Sequence, residues 1–307
     1  MTYDAFLLLS FGGPESSADV MPFLRNVVRG RNVPVARLEE VAHHYEHCGG
    51  KSPINDQNRA LITALEAEFR SRRIELPIYW GNRNWHPLLV DTVRRLHTDG
   101  RKNVLALATS AYSSYSGCRQ YLDDIERARS DVADAPRLTK IPPFWNHPRY
   151  LAATIDRVRD ALAGQRARVL FTAHSIPLAM ARACDYESQL RAVAGQVAAA
   201  LDLAAWDVVY QSRSGPPTQP WLEPDILDHL KSIDRPDRIV MAPIGFVSDH
   251  VEVLYDLDVE AMALCQTLGI EAVRAQTVGM HTEFVRMVAD LVATPFAECP
   301  AGHCPRG

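Results

Sequence analysis

The sequence predicts an α/β protein of two similar doubly wound domains, each a four-stranded parallel sheet covered by helices. Three observations carry this. Short apolar runs alternate with longer amphipathic stretches eight times along the chain. The 307 residues are enough for two domains at about 100–200 residues each. Runs such as AFLLLSF are apolar throughout, as strands of a sheet covered on both faces must be.

In order, AFLLLSF (5–11) reads as the first strand and ends in the Gly12-Gly13-Pro14 turn. ADVMPFLRNVVRG (18–30) reads as a helix closing on Gly30. A helical stretch at 58–72 leads to the strand PIYWGNR (77–83), and a helix at 86–100 stops at a glycine. NVLALATSAYS (103–113) and RLTKIPP (137–143) are the third and fourth strands, followed by a helix at 148–164. Four more strands follow: RVLFTAHS (168–175), WDVVYQS (206–212), RIVMAPIGF (238–246) and EAVRAQTVG (271–279). Helices are predicted between them at 187–203, 224–233 and 248–269, and a last one at 281–293. The expected division is 1–145 and 146–279, joined near 143–150 with a ligand cleft between the two. The final helix and tail, 280–307, are expected to pack back on the first domain.

Composition narrows the function. Hydrophobic residues make up 47% and charged residues 23%, which excludes wholesale disorder, collagen and coiled coil. Lys+Arg 33 against Asp+Glu 37 leaves net charge −4, so a general nucleic-acid partner is not expected. No apolar run reaches the ~18–20 residues of a membrane span, and MTYDAFLLLSFGG lacks the basic start of a signal peptide. A cytoplasmic monomer is expected, with contact at a membrane surface at most peripheral. Six cysteines then read as thiols or metal ligands rather than a disulfide framework.

Ligands of open α/β sheets sit beyond the carboxyl ends of the strands. The first turn lacks G-x-G-x-x-G, and no P-loop or G-x-S-x-G elbow occurs, which argues against nucleotide cofactors and the α/β-hydrolase mechanism. FTAHS places His174 at a strand end, where an imidazole can take a proton or hold a divalent metal; the competing reading is a ring satisfied by nearby backbone. GFVSDHVEVLYDLDVE spaces Glu252, Asp256 and Glu260 at i, i+4 and i+8, one acidic line on a helix. A solvated helix face would explain the line too, but apolar residues flank it, and stacked acids repel unless a cation lies among them. Such carboxylates with an imidazole suit transient Fe²⁺, Mg²⁺ or Zn²⁺. Met21, Phe23, Leu24, Trp80, Trp85, Tyr112, Tyr115 and Trp221 can line a large flat pocket or fill the core. Arg29, Arg31 and Ser52 can bind carboxylates.

The chain resembles the ferrochelatases, lyases that insert Fe²⁺ into a porphyrin, and within them the actinobacterial coproporphyrin branch. The resemblance rests on SFGGP (10–14), RGR (29–31), HYEHCGGKSPIN (44–55), FTAHSIP (171–177), YQSRSG…PWLEPD (210–225) and PIGFVSDHVEVLYDLDVE (243–260). It implies two flavodoxin-like, chelatase-type domains with the porphyrin between them. It implies that His174 contacts the metal and accepts protons opposite Glu252, and that Asp256 and Glu260 lead iron toward them. Porphyrin contacts are expected at Phe11, Arg29, Arg31, Ser52 and Tyr115. Coproporphyrin III is the expected substrate ahead of protoporphyrin IX, with Fe²⁺ as co-substrate and transient partners in haem biosynthesis. Two departures stand out. Some Gram-positive relatives ligate the product iron with a tyrosine where this chain has Phe11. Their metal-site histidine corresponds to Asn84 here, with His86 two residues on.

The resemblance also implies a [2Fe–2S] cluster held by one inner cysteine and the tail. The expected ligands are Cys118, Cys299 and Cys304, with His303 as the fourth, since histidine can replace cysteine in such centres. Cys48, Cys184 and Cys265 read as buried thiols. A non-catalytic haem or porphyrin carrier on the same fold remains the alternative from another class. A cobalt or sirohydrochlorin chelatase is the alternative among enzymes.

Overall fold

The computed structural model describes residues 3–31, 33–215, 218–234, 236–296 and 303–305. All eight predicted strands form: β1 (Ala5–Ser10), β2 (Ile78–Asn82), β3 (Asn103–Ala108), β4 (Arg137–Lys140), β5 (Arg168–His174), β6 (Trp206–Gln211), β7 (Arg238–Ala242) and β8 (Glu271–Arg274). They make two four-stranded parallel sheets, ordered β2-β1-β3-β4 and β6-β5-β7-β8. Several strands stop short of the predicted runs. Pro142 and Pro143 follow β4 and Pro243 follows β7, and a proline has no N–H to give to the ladder.

Two compact units result. One is Met1–Thr109 with Gln120–Pro142 and Val288–Cys299; the other is Ser110–Arg119 with Pro143–Met287 and Pro300–Gly307.

In the first unit every residue of β1 is buried. Leu7 and Leu9 join Val104, Ala106, Val93 and Leu96 in one cluster. Phe6, on the opposite face, packs edge-on against Phe69 of the helix Ile54–Ser71, ring centroids 5.6 Å apart. Alternate faces of one strand thus serve two helix layers. In the second unit Leu170, Val209 and Met241 form a cluster with Ile226, Leu230, Leu257 and Cys265. Local chemistry sets the helix starts there. Pro148 takes the first position of the helix Pro148–Leu162, where a missing N–H costs nothing, and the Nδ1 of His147 accepts from the amide of Arg149. Asp225 caps the helix Ile226–Ser232 by accepting from the amide of Leu227 at 2.8 Å.

Helices at Val35–Glu46, Leu178–Arg182 and Gln120–Ser130 were not among the predicted elements. The predicted helix 248–269 is instead three pieces. A turn of α-helix (Val251–Val253) passes into π-helix (Leu254–Ala261) and then back to α-helix (Met262–Leu268). No helix among the described residues is long and apolar enough to cross a membrane.

Candidate active site

The carboxyl end of β5 carries His174, and the main chain around it is fixed from three directions. The hydroxyl of Tyr186 donates to the His174 carbonyl at 3.1 Å. The amide of Ser175 donates to the carbonyl of Gln211 at 2.8 Å, and the Ser175 hydroxyl donates to the carbonyl of Leu222 at 2.9 Å. Gly245, in the loop after β7, lies against this strand: a Cβ there would sit 2.5 Å from the Cβ of Ala173 and 2.6 Å from its Cα. Only glycine permits that approach.

The His174 ring is half-buried. Its Nδ1 contacts the carbonyl of Ser175, an acceptor, so Nδ1 carries a proton and Nε2 is the nitrogen left to face outward. Nε2 faces Glu252 Oε2 at 3.7 Å. An imidazole with a free Nε2 beside a carboxylate can take a proton and hold the charge it gains.

Past Glu252 the chain enters the π-helix, where i→i+5 bonding replaces the α pattern, an arrangement that recurs at functional sites. Asp256 stands there with its Oδ2 accepting from the hydroxyl of Ser212 and from Nε2 of Gln211. Burial pushes the Asp256 carboxyl up to about 7; Ser212 and Gln211 pull it back, while Glu252 and Glu260 push it further. Glu260 is raised by burial, then by the nearby charge of Asp225. Among the described residues no group of three or more His, Cys, Asp or Glu side chains is arranged to hold a metal ion. His174, Glu252, Asp256 and Glu260 are therefore strung out along a path, one facing pair followed by single carboxylates, rather than gathered around one point.

Three neighbours lie at or just beyond strand ends, where ligands of such sheets sit, but had no role assigned to them. His250 precedes Glu252 by two residues and packs edge-on against Phe246 at 5.1 Å. Burial lowers its pKa; Glu252 and Asp249 act against this and His174 adds to it. Gln211 and Ser212 lie in YQSRSG, read as a family segment, and nothing in one strand's sequence tells which acid its last residue will meet.

The predicted porphyrin contacts fall on both units. In the first, Phe11 packs edge-on against Phe23 at 6.2 Å, and Phe23 against Trp85 at 6.2 Å. Ser52 is buried, its amide bonded to the carbonyl of Pro14 at 2.9 Å, against a Gly13 whose Cβ would lie 2.6 Å from the Ser52 Cβ. Arg29 and Arg31 are exposed in the turn after the helix Ser17–Val27. Asn84 is 6% exposed, and its side-chain nitrogen has no partner among the described residues. His86 is exposed and packs against Trp85 at 5.4 Å. Tyr115 belongs to the second unit and is buried in the π-turn Tyr115–Arg119. Phe23, Leu24, Tyr112 and Trp221 are buried, so these members of the aromatic and aliphatic set are core.

The cluster ligands do not assemble among the described residues. Cys118 and Cys304 are buried, and Cys299 lies outside the described residues. The His303 Nδ1 is 3.0 Å from Cys304 Sγ, a hydrogen-bond distance between two groups expected to face a common iron, and Nε2 lies 3.9 Å from Asp185. With Cys299 undescribed, the four expected donors cannot be brought together here, and among the described residues no group of three or more His, Cys, Asp or Glu side chains is gathered as the two-per-iron ligands of a [2Fe–2S] centre would be. Cys48 and Cys184 are only partly buried, so of the three structural thiols Cys265 alone is enclosed as expected.

Comparison with known proteins agrees with the layout. The fold is similar to the solved structure of the Bacillus subtilis protein SirB with Fe³⁺, at TM-score 0.58 and 12% identity, covering 95% of this chain and 96% of that one. A ferrochelatase from Rhodopirellula baltica is 54% identical over 94% of this chain and 85% of its own length. A coproporphyrin III ferrochelatase from Nocardia farcinica is 50% identical over 95% of this chain and 88% of its own. Residues 3–295 match the ferrochelatase family throughout, through β5 with its terminal histidine and the acid-bearing segment that faces it. The chain therefore belongs to the ferrochelatase family and is a porphyrin metal chelatase.

Proposed function

We propose that the protein inserts Fe²⁺ into coproporphyrin III, giving coproheme, with His174 and Glu252 as its catalytic pair. The observation that carries the reaction is the facing of His174 Nε2 and Glu252 Oε2 at 3.7 Å, with the other ring nitrogen committed to the Ser175 carbonyl. A free-base porphyrin holds two N–H protons and hides its nitrogen lone pairs in the ring plane. Holding the macrocycle bent exposes a pyrrole nitrogen and favours the metalation geometry over the flat substrate. Nε2 takes one proton, and Glu252 stabilises the imidazolium. The second proton leaves by the same pair once the first has passed to solvent. Two protons exchange for one Fe²⁺, so charge balances. Asp256 and Glu260 hand the hydrated ion inward, replacing its waters with carboxylate oxygens.

The choice of coproporphyrin III is supported by the similarity to relatives named for it and by Arg29 and Arg31, two exposed guanidinium groups able to pair with propionates. Steady-state kinetics with coproporphyrin III and protoporphyrin IX side by side, under anaerobic Fe²⁺, test it. A higher kcat/KM for coproporphyrin III is expected, and equal values would overturn the preference. No step runs through a [2Fe–2S] centre. Iron and acid-labile sulfide in anaerobically purified protein test that separately, and a stoichiometric two of each would restore the cluster.

A further inference from the structure

Gln211 is the last residue of β6 and 1% exposed, yet its side chain reaches three groups. Its Oε1 lies 2.8 Å from the hydroxyl of Thr172 on β5. Its Nε2 lies 3.2 Å from the main-chain carbonyl of Glu252 and 3.3 Å from Asp256 Oδ2. A carbonyl oxygen only accepts, so the amide must turn its NH₂ toward Glu252. That leaves Oε1 facing Thr172, whose hydroxyl must donate. Thr172 is fully buried, two residues before His174 on the same face of β5, and Gln211 pairs with His174 in the sheet register.

We infer that Gln211 is a positioning residue for Glu252 and Asp256, and that the Thr172 hydroxyl holds its amide in the one orientation that serves. With the hydroxyl gone, the buried Oε1 loses its donor on β5, and only the Glu252 carbonyl and Asp256 still favour this orientation over its flip. The flipped amide sets an oxygen against two oxygens and pushes the acid-bearing segment away from β6. Thr172 itself touches neither acid. The inference rests on the reading of Glu252 and Asp256 as the route of the metal ion.

The test uses the full chain, Zn²⁺ and coproporphyrin III, with Thr172→Val, Thr172→Ser and Gln211→Met. Calorimetric titration of porphyrin-free protein with Zn²⁺ runs beside steady-state insertion. Thr172→Val and Gln211→Met are expected to weaken Zn²⁺ binding and raise KM for Zn²⁺ about tenfold, with KM for porphyrin within twofold of wild type. Thr172→Ser keeps the hydroxyl and is expected to restore both Zn²⁺ values to within twofold. A Thr172→Val protein with unchanged Zn²⁺ values overturns the inference, as does a Thr172→Ser protein impaired as much as Thr172→Val, which would mean that volume and not the hydroxyl matters. If Thr172→Val does not fold, Gln211→Met decides by the same thresholds. A wild type that binds Zn²⁺ but inserts none would defeat the chelatase assignment of the site, while the binding arm still decides the positioning role.

Discussion

His174 and Glu252 meet across elements that are not sequence neighbours, an imidazole at the end of β5 and a carboxylate in the first turn beyond the loop that follows β7. The strand fixes one partner through Tyr186 and Ser175, so the ring is held from behind while Nε2 stays open. Replacing His174 by Ala removes the proton acceptor and leaves the surrounding main-chain bonds in place. Insertion should fall by about 10²–10⁴, the usual worth of a general base, with porphyrin affinity within about tenfold. Fluorescence titration and initial rates check this; turnover within threefold of wild type would remove His174 from the chemistry.

Position along the acid-bearing segment separates roles. Glu252 faces the ring, and Glu260 stands two helical turns further on. Glu252→Gln should lower kcat severely. Glu260→Gln should chiefly raise KM for the metal ion. Both parameters come from one set of Fe²⁺ or Zn²⁺ titrations, and a larger kcat loss at Glu260 than at Glu252 would reverse the assigned direction.

Asp256 predicts a pH signature in stability. Burial raises its folded pKa from 3.8 to about 7. Between those values the folded chain keeps a proton that the unfolded chain has released, so this carboxyl costs stability progressively as pH rises through the window. Asn cannot ionise. The Tm of Asp256→Asn minus that of wild type should therefore be larger at pH 8 than at pH 5. Calorimetric scans at the two pH values check this, and a constant difference would mean that the folded and unfolded pKa values are alike.

Gly245 predicts a packing penalty with a functional consequence. An added Cβ meets Ala173 at 2.5 Å, next to His174, and main-chain atoms must shift to relieve it. Overpacking of this kind costs about 1–3 kcal/mol. Gly245→Ala should lower Tm by several degrees and lose more activity than the stability loss accounts for at a temperature where it remains folded. Full activity in the folded variant would show that the strand end tolerates the shift.

Strands such as β1 and β7 were legible because burial on both faces leaves largely apolar runs, AFLLLS and RIVMA, whereas the edge strands RLTK and EAVR are more polar and partly exposed and show a weaker signal. His174 and the acid spacing were legible for a related reason, since strand ends and i+4 repeats are local patterns. The π-helix was not, because a repeat of four residues suits an α-helix as well, and the choice between i→i+4 and i→i+5 bonding lies in tertiary contacts such as Gln211 and Ser212 to Asp256. The helix Val35–Glu46 was hidden by a polar sequence with two buried residues, Leu38 and Tyr45. Gln211 was legible as a strand-end position, but its contacts were not. Its partners Thr172, Glu252 and Asp256 come from three other elements, and only folding brings them together.

The shared strand order has one more consequence. Ser10 pairs with Asn82 at the end of the first sheet where His174 pairs with Gln211 at the end of the second. Both edge strands therefore finish on a buried carboxamide, and each ties down the chain that comes after: Asn82 donates to the carbonyl of His86 at 3.0 Å as Gln211 does to that of Glu252. A plan written twice in one polypeptide frees one copy to diverge. On the proposed reading the copy with the imidazole keeps it for proton transfer, whereas its twin ends on a serine at that place and carries no such demand.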